Sequence, residues 1–286
     1  MKNILAYNLF ESLNKREDVY KIENEIYISE TGQIDSNGLS YPLKTKYTVC
    51  CICIKGELTG KIDLKEYHIK APGMAISLPG QILEHGTSSA DFLGILIYMS
   101  ESFTKNFNLL MGHSIAISIM DRPYVKLTDK QLEAMLAYCD MAKSVMLTKD
   151  NPHKLATITH LTIAYFYGIG YFLHQVDDVE SKSNDKIITD RFLHEVRQHF
   201  KKERRVEFYA EKLQLSPNYL SHKVKDVTNK TAGQWIDEYI ALEAKALLKS
   251  TNMTIQQIAD ELNFPSQSFF GKFFKRVVGI SPKYYK

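Results

Sequence analysis

At 286 residues, 44% hydrophobic and 24% charged, with only 14 Gly and 8 Pro, the chain is long enough for two domains with separate cores and is not a fibrous or largely disordered protein. Its net charge of +3 excludes nothing by itself, but the charge is unevenly placed. From Ile187 onward 17 Lys+Arg stand against 11 Asp+Glu, leaving 19 and 22 for the rest, so a basic C-terminal part that suits a polyanion follows an acidic N-terminal one.

The first ten residues hold one Lys and an interrupted apolar run followed by "ESLNKRED", which does not read as a secretory signal. The most apolar later stretch, Leu161 to Leu173, is too short to span a bilayer and contains Thr162, Gly168 and Gly170. The four cysteines are Cys50, Cys51, Cys53 and Cys139, and no disulfide framework is implied. The expectation is a cytoplasmic protein with no membrane partner.

In chain order, residues 1–45 are mixed and polar and give no clear element. From about Lys46 to Met99 the pattern is one of short strands. "KYTVCCICIK" is apolar on both faces, as in a strand between two packed layers. Cys51 and Cys53 share one face and Cys50 takes the other. Small apolar core residues are the first reading of these thiols, with a redox sensor or a soft-metal site as the alternative. Turns at Lys55-Gly56, Thr59-Gly60, Ala71-Pro72-Gly73 and Leu78-Pro79-Gly80 separate "KIDL", "YHI", "MAISL" and "FLGILIYM", which predicts a small β-barrel or jelly roll.

From Ser102 to Gln175 the pattern turns helical. Leu132, Met135, Leu136 and Cys139 follow i, i+3, i+4, i+7 spacing behind Thr128-Asp129, and a second helix runs from Asn151-Pro152 through Leu155, Ile158, Leu161 and Tyr165 to Phe172. Its aromatic end suits a core or a surface for a second subunit. "VDDVESKSNDK", from Val176 to Lys186, is polar and reads as a linker.

The C-terminal part contains an internal near-repeat. Ala210-Glu211-Lys212-Leu213-Gln214-Leu215 matches Ala259-Asp260-Glu261-Leu262-Asn263-Phe264. One residue later in the second copy, Asn218 to Lys225 matches Ser268 to Lys275. In each copy a short amphipathic helix ends, a tight turn follows, and a second helix starts at Ser216-Pro217 or Ser266-Gln267. That is the helix-turn-helix plan, present twice. Tyr219, Leu220 and Val224, and then Phe269, Phe270, Phe273 and Phe274, are expected to pack inward. The outward residues suit base edges and phosphates in a major groove. Between the units, "AGQWIDEYIALEAKALLKS" has the length and period of one long helix that would fix their spacing.

"LSPNYLSHKVK", "ALEAKALL", "IQQIADELNFPSQSFFGKFFKR" and the terminal "GISPKYYK", in that order, closely resemble the AraC family of bacterial transcription regulators over residues 187–286. The resemblance places Asn218, Ser221 and His222 on the first reading helix and Gln267, Ser268 and Lys272 on the second. Lys225, Lys275 and Arg276 complete the expected DNA-binding set. His222 stands where the family often has Arg, and Lys223 stands at a commonly apolar position.

The same resemblance implies a cupin-like barrel that binds an effector, followed by dimerisation helices. The expected architecture is therefore a multidomain α+β protein. Residues 1–176 form an effector-sensing and dimerisation domain (barrel at about 40–100, helices at about 101–175), 177–186 a linker, and 187–286 an all-α DNA-binding domain with two helix-turn-helix units. Tyr47, Val49, Cys51 and Cys53 are the candidate effector-lining residues, with a filled core as the equal alternative. No His precedes His68, so the early His-x-His of a metal-binding cupin is missing; His85 alone does not complete a site, and neither a metal nor a cofactor is expected. No nucleophile-elbow or phosphate-loop motif is present, which argues against an enzyme.

The sequence thus predicts a sequence-specific regulator of transcription. Its expected partners are promoter DNA, a small-molecule effector, a second copy of the chain and, as a further candidate, RNA polymerase. The alternative is a cupin-type small-molecule-binding protein or enzyme whose helical tail makes protein contacts.

Overall fold

A computed structural model describes residues 19–31, 42–105, 119, 123–177 and 184–286, with the backbone alone at 85 and 169–177. These residues fall in two compact units, one within 6–179 and the other within 180–286.

Among its described residues the first unit has ten strands: β1 (Val19–Ile22), β2 (Ile26–Thr31), β3 (Leu43–Lys44), β4 (Thr48–Lys55), β5 (Glu57–Ile62), β6 (Lys65–Lys70), β7 (Gly73–Ser77), β8 (Ile82–Ser88), β9 (Leu93–Met99) and β10 (Tyr124–Lys126). They form a six-stranded sheet in the order β1-β2-β9-β4-β7-β10 and a four-stranded sheet in the order β3-β8-β5-β6. All pairings are antiparallel.

Strand β4 shows why both of its faces are apolar. Cys51 and Cys53 point toward Leu58 and Ile69 of the other sheet. Cys50 and Ile52 point outward, where α1 (Asp129–Leu147) and α2 (Lys154–Asp177) cover the sheet with Met135, Cys139, Ile158 and Phe166. Thr128 caps α1 in a capping box with Gln131, as the Thr128-Asp129 start predicts. Tyr138 joins the two helices, stacking on Tyr165 at 4.2 Å and meeting the Thr162 hydroxyl at 2.7 Å. At the β4–β5 turn Gly56 has φ 72°, and a side chain there would meet Ser89 Oγ at 2.3 Å.

The strands extend beyond the range of about 40–100 expected for the barrel. β1 and β2 lie within the first 45 residues, where Ile26, Tyr27 and Ile28 are fully buried. β10 interrupts the stretch expected to be helical from Ser102 to Gln175, and it pairs with β7. Part of that stretch, 106–118 and 120–122, lies outside the described residues.

The second unit is all helical: α3 (Asn184–His199), α4 (Val206–Lys212), α5 (Pro217–Thr228), α6 (Ala232–Ser250), α7 (Ile255–Glu261), α8 (Gln267–Val278) and α9 (Pro282–Tyr285). Helix α3 begins inside the expected linker of 177–186, of which residues 178–183 lie outside the described residues. Helix α6 spans the expected central segment behind a Thr231–Gln234 capping box. It is buried through most of its length, including Trp235, Ile236, Tyr239 and Ile240, because α3, α5 and α8 all pack on it. Among the described residues, no helix is long and apolar enough to cross a membrane.

Candidate nucleic-acid interface and interior cavity

The two helix-turn-helix units have matching backbones. In the first, Leu215 N–H donates to Ala210 O at 2.9 Å, and in the second Phe264 N–H donates to Ala259 O at 2.8 Å. Ala210 and Ala259 are fully buried. Ser216 caps α5 by accepting from Tyr219 N, and Ser266 caps α8 by accepting from Phe269 N. Asn229 and Gly279 close the two second helices in left-handed conformation.

Leu220 and Val224 of α5, like Phe270 and Phe274 of α8, are fully buried. The expectation that Tyr219 and Phe269 pack inward is corrected: they are 42% and 62% exposed. At about 100° per residue, position 269 sits roughly 120° from the centre of the Phe270/Phe274 face, too far round to reach the core. Phe273, at the flank, is half-buried against Phe264 at 5.1 Å. Tyr219 and Phe269 occupy equivalent places in the repeat, so each second helix carries one exposed aromatic beside its polar face. The near-repeat alone makes that match visible, but not that both rings lie outside the core.

On the outer face of α5, Asn218, His222 and Lys225 are exposed and Ser221 is half-buried. On α8, Gln267, Ser268, Lys272, Lys275 and Arg276 are exposed. Among the described residues, Lys225, Lys272 and Lys275 have no ion-pair partner. Arg276 differs, because its guanidinium meets Asp237 of α6 at 3.0 Å. Lys223, on the flank of the packed face, reaches Asp185 of α3 at 3.0 Å, a hydrogen bond that raises its pKa.

Two supports escaped sequence reasoning. Arg204 lies over the Phe264 ring at 3.6 Å and donates to Leu262 O, clamping the second turn. Lys201 joins the buried Glu243 of α6 at 3.2 Å to Glu261 of α7 at 2.7 Å. Both sites bring together residues some 40–60 positions apart, beyond any local pattern.

The first unit has a cavity of about 110 Å³ between its sheets. Val49 and Cys51 line it, together with Tyr67, Ser77, Leu96 and Tyr98, which the sequence did not single out. Tyr47 and Cys53 lie outside that lining. Tyr47 packs near Tyr27 and Tyr98, and Cys53 is fully buried with its Sγ 3.5 Å from Gly56 O. Burial pushes the Cys51 thiol up to about 12, Cys53 and Cys139 to about 11 and 12, and Cys50 well above its usual range. Burial of this kind favours the thiol over the nucleophilic thiolate. His85 lies on β8, but its side chain is outside the description. Among the described residues no three His, Cys, Asp or Glu side chains gather as metal ligands.

A helix-turn-helix domain family model matches residues 209–286. The regulatory protein SoxS of Escherichia coli K12 is 30% identical over 104 residues, which is 36% of this chain and 96% of that protein. The chain belongs to the AraC family of transcription regulators. The match to another relative, the HTH-type transcriptional regulator YtdP of Bacillus subtilis, is 30% identical over 101 residues; it takes in 35% of this AraC-family chain and spans 13% of the length of YtdP. Among solved structures, ToxT of Vibrio cholerae aligns over 91% of this chain and 97% of its own at 15% identity, with a TM-score of 0.44.

Proposed function

We propose that this chain is a sequence-specific DNA-binding regulator of transcription and has no catalytic role. The observation that carries this reading is the pair of matching turns held on one buried helix, with unpaired cations on the outward faces of α5 and α8. Helix α6, at 1.5 Å per residue, is ~28 Å long, close to the ~34 Å between successive major-groove entries on one side of DNA.

In this reading Asn218, Ser221 and His222 meet base edges from α5, and Gln267, Ser268 and Lys272 do so from α8. Lys225 and Lys275 meet phosphates. Arg276 orients α8 through Asp237 while its exposed guanidinium faces the backbone. Tyr219 and Phe269 supply the apolar surface that contacts thymine methyl groups. The division of labour is an N-terminal sensing and dimerisation domain over 1–176 with a cupin-like barrel, a linker over 177–186, and the DNA reader over 187–286. The effector binds in the barrel, dimers form through α1 and α2, RNA polymerase is the natural further partner, and the protein works in the cytoplasm.

Binding of the purified chain to genomic fragments across a salt series tests this. A reader of this kind selects a subset of fragments and loses affinity steeply as salt rises, because counterions are released from each neutralised phosphate. Equal retention of all fragments near physiological salt would remove the claim of sequence specificity.

A further inference from the structure

Ser77 ends β7 in register with Val49 of β4, and its side chain lines the cavity between the sheets. It is only 3% exposed, and its hydroxyl has no hydrogen-bond partner. A buried hydroxyl without a partner is costly, so its presence in a cavity wall marks a place where a guest supplies the missing bond. Thr45, another hydroxyl of the lining, is already engaged, accepting from Tyr47 N–H at 3.0 Å. The rest of the wall is mainly aliphatic, with Leu58, Ile62, Ile69 and Leu96 among it. A lone water needs two to four polar partners and finds few there.

The wall holds no Asp, Glu, His, Lys or Arg side chain; its ionisable groups are the thiol of Cys51 and the phenols of Tyr67 and Tyr98, and burial pushes Cys51 and Tyr67 up to about 12. Among the described residues the cavity therefore carries no charge at neutral pH. A carboxylate entering it would lose its hydration with no counter-charge. A sugar would exchange many hydrogen bonds with water for very few. The size, about 110 Å³ against the ~150 Å³ of an apolar protein cavity that admits benzene, limits the guest to about one ring.

We propose that this cavity binds a small, neutral, mostly apolar molecule of the phenol class, roughly the size of one substituted ring, whose single polar group hydrogen-bonds Ser77. The proposal rests on the reading of the N-terminal unit as an effector-binding domain and names the chemistry of that effector.

The test uses the full chain with p-cresol, toluene and benzoate as probes, following the methyl resonance of Ala75, which also lines the cavity. p-Cresol should shift Ala75 and bind roughly five- to tenfold more tightly than toluene, the worth of one neutral hydrogen bond. In Ser77→Ala, which only trims a hydroxyl, that ratio should fall to about one, and benzoate should leave Ala75 unmoved in either protein. Benzoate shifting Ala75 at the concentrations of p-cresol would overturn the neutral class yet leave the effector-binding reading standing. A p-cresol to toluene ratio unchanged by Ser77→Ala would remove Ser77 as the anchor. Ala75 unmoved by all three probes would make the cavity an inert packing gap and overturn the proposal, while an effector held elsewhere in the N-terminal unit would still leave the effector-binding reading standing.

Discussion

Gln214 and Asn263 hold the same left-handed backbone conformation, φ 57° in each, at the fifth position of the two matched hexapeptides. That shared twist lets each helix-turn-helix reverse direction within a few residues, so that Leu215 and Phe264 can close their turns on Ala210 and Ala259. Asn tolerates this conformation better than Gln, and β-branched residues tolerate it worst. Asn263→Val should therefore lower the stability of the second unit by about 1–2 kcal/mol, while Asn263→Gly should be near neutral. Thermal melts of the two variants check this, and equal effects of Val and Gly would show that the twist is not under strain.

Helix α8 contains four phenylalanines, two fully buried, one half-buried and one exposed. Phe270→Ala and Phe274→Ala remove fully buried rings and should each cost about 3–5 kcal/mol of stability. Phe269→Ala, at a residue 62% exposed, should change stability by less than ~0.5 kcal/mol and weaken binding to the preferred DNA site several-fold. Melts and binding isotherms on the same three proteins separate the two roles.

Lys272 stands four residues after Ser268 on the exposed face of α8, and Lys275 lies nearer the helix end. Lys272→Ala should cost ~1–3 kcal/mol at the preferred site and relax base choice there. Lys275→Ala should weaken all sequences by a similar factor and reduce the salt slope by about one unit. The measurement is binding to a site library at two salt concentrations. Uniform weakening by Lys272→Ala would mean that α8 sits differently in the groove.

The thiols of β4 predict a pH dependence. Burial holds Cys51 near 12 and Cys53 near 11, whereas an unfolded thiol ionises near ~8.5. A raised pKa means the folded chain keeps protons that the unfolded chain releases. The contribution of these groups to stability is thus complete below about pH 8.5 and is lost as pH climbs toward 11–12, by at most ~1.4 kcal/mol per pH unit for each thiol. Urea midpoints between pH 7 and 10.5, followed by a strand-sensitive signal, should fall, and Cys51→Ala should flatten the fall.

A shallow groove between α1 and α2 is walled by Ala134, Ala137, Met141, Leu161 and Ala164, with Met141 prominently exposed. If dimers form there, Met141→Glu should shift the full chain from dimer to monomer at micromolar concentration without lowering its melting temperature. Sedimentation velocity is the check, and a wild-type chain that sediments only as monomer would remove the proposal. At the end of the expected dimer face, residues 169–172 are described by their backbone alone.

Much of the reading helices was legible in the residues because the signals are local. Ser216-Pro217 and Ser266 cap their own helices, and the buried pairs Leu220/Val224 and Phe270/Phe274 lie one turn apart. The outward position of Phe269 was not legible. Four phenylalanines in six residues make an apolar arc wider than the surface α6 and α7 offer, and only packing decides which ring is left outside.

By itself the sequence determined the two capped helix-turn-helix units, the long helix joining them and the two-faced character of β4, since each follows from interactions among residues a few positions apart. Tertiary structure decided the rest. It drew β1, β2 and β10 into the sheet, the last through pairs such as Tyr124 with Ala75, whose backbone partners no short window contains. It also separated Val49 and Cys51, which line the cavity, from Cys53 on the same face of the same strand, which is packed solid. An empty space is what remains after distant side chains have filled the others, so no single residue's identity records where it will be.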